Sequence, residues 1–320
     1  MAFEEYLIGK REKGAWVAET SYGAGGVMAT NGEVVGLNFE LIPDFNQNWQ
    51  EILSAGADVR TVESRAKGPL TLPFQIRFTP VNWKWLKYLM KVEDDGSDPY
   101  THTFTVPNSV QSFKLEWAKR HTTNVVVTLT GCMILNAVLS FSKGTGAGEG
   151  FCVVTANCVA SDYDLGATVT SLDAGNITDG PFQWRHVKLT LEGSEVVEVN
   201  NGEISIASGI EPNDSRYCNA TLNRALGEGI PKTFRINGRF NVNEKDNTYQ
   251  TLWDAAAAVG STNKLEFIRG ANDNMIFTFG VFKFASTNAP TDLEGVSAPD
   301  LIWTDDALTS TIATDSVDVY

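Results

Sequence analysis

The sequence predicts a mainly β chain made of two copies of one β-sandwich or barrel-like domain, each with a short flanking α-helix. Three observations carry this. Apolar residues alternate with polar ones over most of the hydrophobic stretches: Phe113, Leu115 and Trp117 with Lys114 and Glu116, then Ala137, Leu139 and Phe141 with Val138, Ser140 and Ser142. A period of two buries one face of a strand. Part of this region then recurs, KLEWAKRHTTNVVVTL at 114–129 and KLEFIRGANDNMIFTF at 264–279, an offset of 264 − 114 = 150 residues. Lys114, Leu115, Glu116, Asn124 and Thr128 return as Lys264, Leu265, Glu266, Asn274 and Thr278, and the apolar pattern persists where identity is lost, which indicates duplication. Finally, 320 residues with 42% hydrophobic and 20% charged side chains suit a globular chain of about two domains.

Taken in order, residues 1–32 read as an N-terminal arm, glycine-rich at SYGAGGVMATNG, that orders against something else. The first domain, 33–165, opens with a strand near 34–41 on which Val35, Leu37, Phe39 and Leu41 alternate. A long connection from Asp44 to Gly68 follows, and its Phe45, Trp49, Ile52 and Leu53 are too apolar for a disordered linker. Connections beyond about 12–15 residues are uncommon unless they have work to do. The stretch PLTLPFQIRF alternates without a break, with Gln75 and Arg77 on its polar side. Thr79 and Pro80 then start a predicted helix that presents Trp85, Tyr88 and Leu89.

Residues 166–186 link the copies, and the second domain, 187–290, repeats the plan. Its strand at 203–207 leads into a long connection from Ser208 to Pro231 that carries Ile210, Tyr217 and Leu222. A strand through Phe234, Ile236, Phe240 and Val242 then precedes a predicted helix over 243–258 with Tyr249, Leu252, Trp253 and Ala256 on one face. The helices are offset by 249 − 85 = 164 residues, against 150 for the KLE strands, so the first copy holds 14 more residues, in VEDDGSDPYTHTFTVPNSVQS. The tail, 291–320, is acidic, with Leu301, Ile302 and Trp303 as a docking point.

Composition excludes several functions. With 25 basic and 39 acidic residues the formal charge is −14, which repels nucleic acid but suits a surface that DNA must slide past. The opening MAFEEYLIGKREKGAW has glutamates where a signal peptide has lysines, and no run approaches the roughly 20 apolar residues of a membrane span. The four cysteines read as free thiols of a reducing compartment: Cys152 and Cys158 share a strand face but stand about 20 Å apart, too far to bridge. GTGAGEG at 144–150 lacks both the last glycine of a dinucleotide fingerprint and a following helix, so it reads as a hairpin turn. His102, His121 and His186 lack metal-ligand spacing, no G-x-S-x-G elbow occurs, and most of the eight tryptophans sit at alternating or helical positions, which favours core packing over a sugar-stacking platform. Neither a cofactor nor a catalytic residue is expected.

YTHTF at 100–104, TGCMILNAVLSFSKG at 130–144 and GIPKTFRINGRF at 229–240 resemble the tail tube proteins of long-tailed bacteriophages and related viruses, over most of 33–290. The resemblance implies a structural virion protein without enzymatic activity, made in the host cytoplasm, whose sheets join edge to edge into rings that stack as a hollow conduit for DNA ejection. Two tube domains per chain then imply a homotrimeric, pseudo-hexameric ring, with a homohexamer as the alternative. Phe45, Trp49, Ile52, Leu53, Ile210, Tyr217 and Leu222 become contacts between rings. Glu116 and Glu266, opposite the apolar parity of their strands, become lining residues of a net-negative lumen. Expected partners are further copies of the chain and other tail proteins, namely tape measure, terminator and distal tail proteins; DNA passes through unbound, and no membrane is involved. The rival readings are a carbohydrate-binding β-sandwich or adhesin, which needs exposed aromatics, and a sandwich hydrolase, which needs a carboxylate pair.

Overall fold

The computed structural model describes residues 12–53, 62–106, 108–109, 111–119, 125–144, 150–166, 168, 170, 180–191, 193–196, 199–213, 227–242, 263–279, 284–288, 300–304 and 308–315. The first half supplies strands β1 (Glu12–Ala18), β2 (Glu33–Val34), β3 (Leu37–Pro43), β4 (Asn46–Leu53), β5 (Val62–Thr79), β6 (Lys91–Asp94), β7 (Tyr100–Thr105), β8 (Phe113–Lys119), β9 (Val125–Ser142), β10 (Val153–Ala160) and β11 (Asp162–Gly166). The second supplies β12 (Val187–Leu191), β13 (Ser194–Val196), β14 (Val199–Ala207), β15 (Ile210–Asn213), β16 (Gly227–Pro231), β17 (Arg235–Val242), β18 (Asn263–Gly270), β19 (Asp273–Phe279), β20 (Phe284–Asn288), β21 (Asp300–Thr304) and β22 (Leu308–Asp315). All their pairings are antiparallel, and the chain is mainly β, as its alternation predicts.

Two layers recur. In the first half one layer runs β2-β1-β8-β9-β11 and the other β3-β5-β10-β9. The second half repeats this strand for strand, as β13-β12-β18-β19-β22 and β14-β17-β21-β20. Strand β9 serves both layers because it turns a corner at Gly131, whose φ of +61° is closed to most side chains; a Cβ there would also meet the Ser161 Oγ. The Gly131 N–H donates to the Glu19 carboxylate at 2.9 Å, which also takes the Gly23 N–H at 2.9 Å. The two KLE hairpins differ in register. Leu115 faces Leu129, but Leu265 faces Phe277 rather than Phe279, the residue aligned with Leu129. An even slide keeps every side chain on its face, so Leu115, Trp117 and Leu129, and equally Leu265, Phe267 and Phe279, all point into the core.

Several expectations change. Residues 12–18 belong to a sheet rather than to an arm: β1 sits between β2 and β8, and Trp16, 2% exposed, packs 5.1 Å from Tyr88 and 5.9 Å from Phe113 between ring centroids. The strand escapes the period-two test because Ala15 and Val17 on its other face are also buried, with Met28 of the short helix α1 (Met28–Asn31). The first predicted α-helix is a five-residue 3-10 helix, Lys84–Tyr88. Trp83, Leu86 and Leu89, and likewise Trp85 and Tyr88, are buried at every third position, which suits three residues per turn. The second, over 243–258, lies outside the described residues.

Both long connections contain β-ladders. Strand β4 pairs with the first half of β5 from Asn46↔Thr71 to Leu53↔Val62, and β15 pairs with β16. The acidic tail contributes two sheet strands, β21 on β17 and β22 on β19. The 14-residue excess of the first half forms the β6–β7 hairpin, which crosses to the other repeat: β7 pairs with β22, Thr311 facing Phe104 and Ala313 facing His102. His102 is buried there, its Nδ1 2.5 Å from the Asp94 carboxylate. One hydrophobic cluster runs through both repeats. At its centre Trp83 of the first repeat stands 5.0 Å from Phe267 of the second and 4.8 Å from Phe182 of the linker.

Candidate assembly surface

Strands β9 and β14 join the two repeats. They pair from Ser142↔Asn201 to Asn136↔Ala207, fusing two equivalent four-stranded layers into one of order β3-β5-β10-β9-β14-β17-β21-β20. At the join Gly202 lies opposite Phe141, and its missing side chain makes room for two rings: a Cβ at Gly202 would come within 2.6 Å of both Phe141 and Phe240.

The core face of this layer holds Phe74, Ile76, Phe78, Leu139, Ile204 and Ile206, all buried. The opposite face is polar. One row of facing residues reads Ile42, Gln75, Asn157, Asn136, Ala207 and Arg235 across six strands. Within it Gln75 donates to the Asn157 carbonyl oxygen at 2.9 Å, and the Asn157 amide donates to that of Asn136 at 2.8 Å. The next row reads Glu40, Arg77, Thr155, Val138, Ser205 and Asn237. Glu40 opposite Arg77 recurs in the second repeat as Glu203 opposite Arg239, so two acid–base pairs face each other; Arg235 faces Ala207, and amides and hydroxyls make up most of the remainder, with Ile42, Val138 and Ala207 among them. In the sequence the polar side of PLTLPFQIRF already showed this face through Gln75 and Arg77; its continuation across β9 and β14 depends on pairing between the repeats.

The predicted site residues scatter around this layer. Phe45 is half-buried where β3 passes toward β4 and stacks on Tyr163 of β11, ring centroids 6.2 Å apart. Trp49, Ile52 and Leu53 lie on β4, and Ile210 begins β15. Tyr217 and Leu222 fall outside the described residues. Glu116 and Glu266 occupy β8 and β18, in the other layers. Glu116 is only 6% exposed and accepts the backbone N–H of Thr170 at 3.0 Å and its hydroxyl at 2.5 Å, which ties the linker to the first repeat. Glu266 faces Lys188 and Ile276 across its ladders. Cys132, Cys152 and Cys158 are buried free thiols; burial raises all three, Cys152 to about 12.

The family described as phage tail tube protein matches residues 9–313. The chain belongs to that family. It is a tail tube protein, a structural component of the phage virion, and its β-rich layers are the architecture that the sequence resemblance implies. No curated protein matches it. The match begins at residue 9, in line with the placement of β1 inside the first layer of this tube protein. No helix among the described residues is long and apolar enough to cross a membrane.

Proposed function

We propose that three copies of this tail tube protein close head to tail into a ring with pseudo-sixfold symmetry, and that stacked rings form a conduit through which DNA leaves the virion. The observation that carries this reading is the β9–β14 pairing, which already joins two equivalent layers edge to edge within one chain. An eight-strand layer remains, bounded by β3 on one side and β20 on the other. A heterologous contact repeated by rotation closes into a ring and leaves no open edge. Three chains with two tube domains each make six units around the axis.

The polar face of the fused layer is the lumen in this reading. Its amides, hydroxyls and two facing Glu–Arg pairs leave Arg235, among the described residues of these rows, as a single cation opposite Ala207 rather than a cluster that could hold phosphates, so DNA slides past it. The lumen is thus nearer neutral than the net-negative one expected from Glu116 and Glu266, which belong to the other layers. The β4–β5 and β15–β16 hairpins, equivalent in the two repeats, are the contacts between rings, and tape measure, terminator and distal tail proteins are the partners at the ends of the tube.

Electron microscopy of the purified protein, with native mass measurement, tests the proposal. Rings or tubes with three chains per ring are expected. Six chains per ring would reject the trimer and keep the tube, whereas dispersed monomers that bind glycan would favour the adhesin reading.

A further inference from the structure

The join inside the chain specifies the join between chains. We infer that β20 of one chain pairs antiparallel with β3 of the next, with Ser286 opposite Ile42 and Asn288 opposite Glu40; the inference rests on the head-to-tail ring.

The register follows from matching the two repeats row by row. Glu40 faces Arg77 as Glu203 faces Arg239, which equates β3 with β14 and β5 with β17. Arg77 faces Thr155 and Arg239 faces Ile302, which equates β10 with β21. Thr155 faces Val138 and Ile302 faces Ser286, so Val138 corresponds to Ser286. Strand β20 is thus the second-repeat form of the part of β9 that pairs with β14, and β3 is the first-repeat form of β14. Within the chain Val138 faces Ser205 and Ser140 faces Glu203. Ser205 corresponds to Ile42 and Ser140 to Asn288, which gives the two pairs stated above.

Residue chemistry agrees with this register. Val138 opposite Ser205 becomes Ser286 opposite Ile42, one β-branched apolar side chain against one serine in both joins, with the sides exchanged. Ser140 opposite Glu203 becomes Asn288 opposite Glu40, a short hydrogen-bond donor against a carboxylate in both. Ile42 is 47% exposed in the single chain, whereas Ser205, at the corresponding place in the internal join, is half-buried beside its neighbour strand. Pairing adds a ladder of main-chain hydrogen bonds to both edges, while the alternating side chains select the partner.

Cysteine pairing on assembled particles tests the register. Ser286→Cys combined with Ile42→Cys, treated with a short bismaleimide, is expected to give a denaturing-gel ladder that stops at three chains, with each single variant remaining monomeric. Thr287→Cys with Ile42→Cys, on opposite faces of the sheet, is expected to link at least tenfold less. Three-chain rings in which the first pair fails and a shifted pair links would overturn the register and leave the ring intact. A ladder running past three chains would overturn the ring and keep the strand pairing. Should the double variant not assemble, hydrogen exchange on the unaltered protein decides: β3 and β20 amides are expected to slow at least tenfold on assembly, and unchanged exchange in either strand overturns the inference.

Discussion

Gly202→Ala probes the join between the repeats at its tightest point. The added methyl would lie 2.6 Å from Phe141 and from Phe240, and 3.0 Å from the Arg239 carbonyl oxygen. Carbon atoms prefer about 3.5–4.0 Å, so both rings must retreat by about 1 Å inside a closed core. Such overpacking costs about 1–3 kcal/mol, while replacing glycine recovers about 0.4–1 kcal/mol by restricting the unfolded chain. The steric cost wins, and a net loss of about 1–2 kcal/mol is expected from urea unfolding followed by tryptophan fluorescence. Phe141→Leu removes one of the crowding rings, so the double variant should be more stable than the two single losses added together, by about 1 kcal/mol. A Gly202→Ala protein as stable as the native chain, or strictly additive losses in the double variant, would refute the packing described for the join.

Trp83→Ala should cost about 3–5 kcal/mol, because the indole bridges both repeats and the linker. Trp83→Phe should cost clearly less, since the indole N–H meets no acceptor among the described residues; equal losses in urea melts would contradict this placement. Glu19→Ala strands the N–H groups of Gly23 and Gly131 and should cost about 2–4 kcal/mol, with partial recovery in Glu19→Gln, which keeps one acceptor. Cys132, Cys152 and Cys158 should resist thiol reagents until the chain unfolds. Their folded pKa values are raised, so the stability from their neutral forms is intact below the ordinary thiol value of 9 and falls as pH rises toward the Cys152 value of about 12. Urea melts that show no decline between pH 9 and 11 would contradict that burial.

The local pattern was legible wherever one face of a strand is buried and the other wet. β5, β8 and the latter half of β9 show it, and so does the duplicated KLE hairpin, whose even register slip leaves the face pattern intact. β1 was not legible because α1 covers its second face, so Ala15, Trp16 and Val17 are apolar in succession. The residues of the 3-10 helix do not separate it from an α-helix, because one set of aromatic and leucine residues satisfies a period of three as well as 3.6 over so short a span. The pairings that join the two repeats, β9 with β14 in the assembly surface and β7 with β22 in the other sheet, link segments far apart in the chain. Nothing in either strand's own residues names its partner, and only the repeat, read against the ladders, reveals which edges correspond. Glu116 illustrates the same limit: its parity marks it as polar-facing, yet Thr170 of the linker covers it.

In the proposed ring, the tandem join also changes the kinetics of assembly. In a ring of three such chains, every second contact around the circle is made when the polypeptide folds, at an effective concentration set by the linker rather than by the cell. Closure then needs three encounters instead of six, and its rate depends less steeply on protein supply. The internal join carries no duty to wait, so Phe141 can lock over Gly202 at once. In that ring the external edges, β3 and β20, pair only when a second chain arrives. A single-domain subunit would have to meet both demands with one interface; here each falls to a different pair of strands.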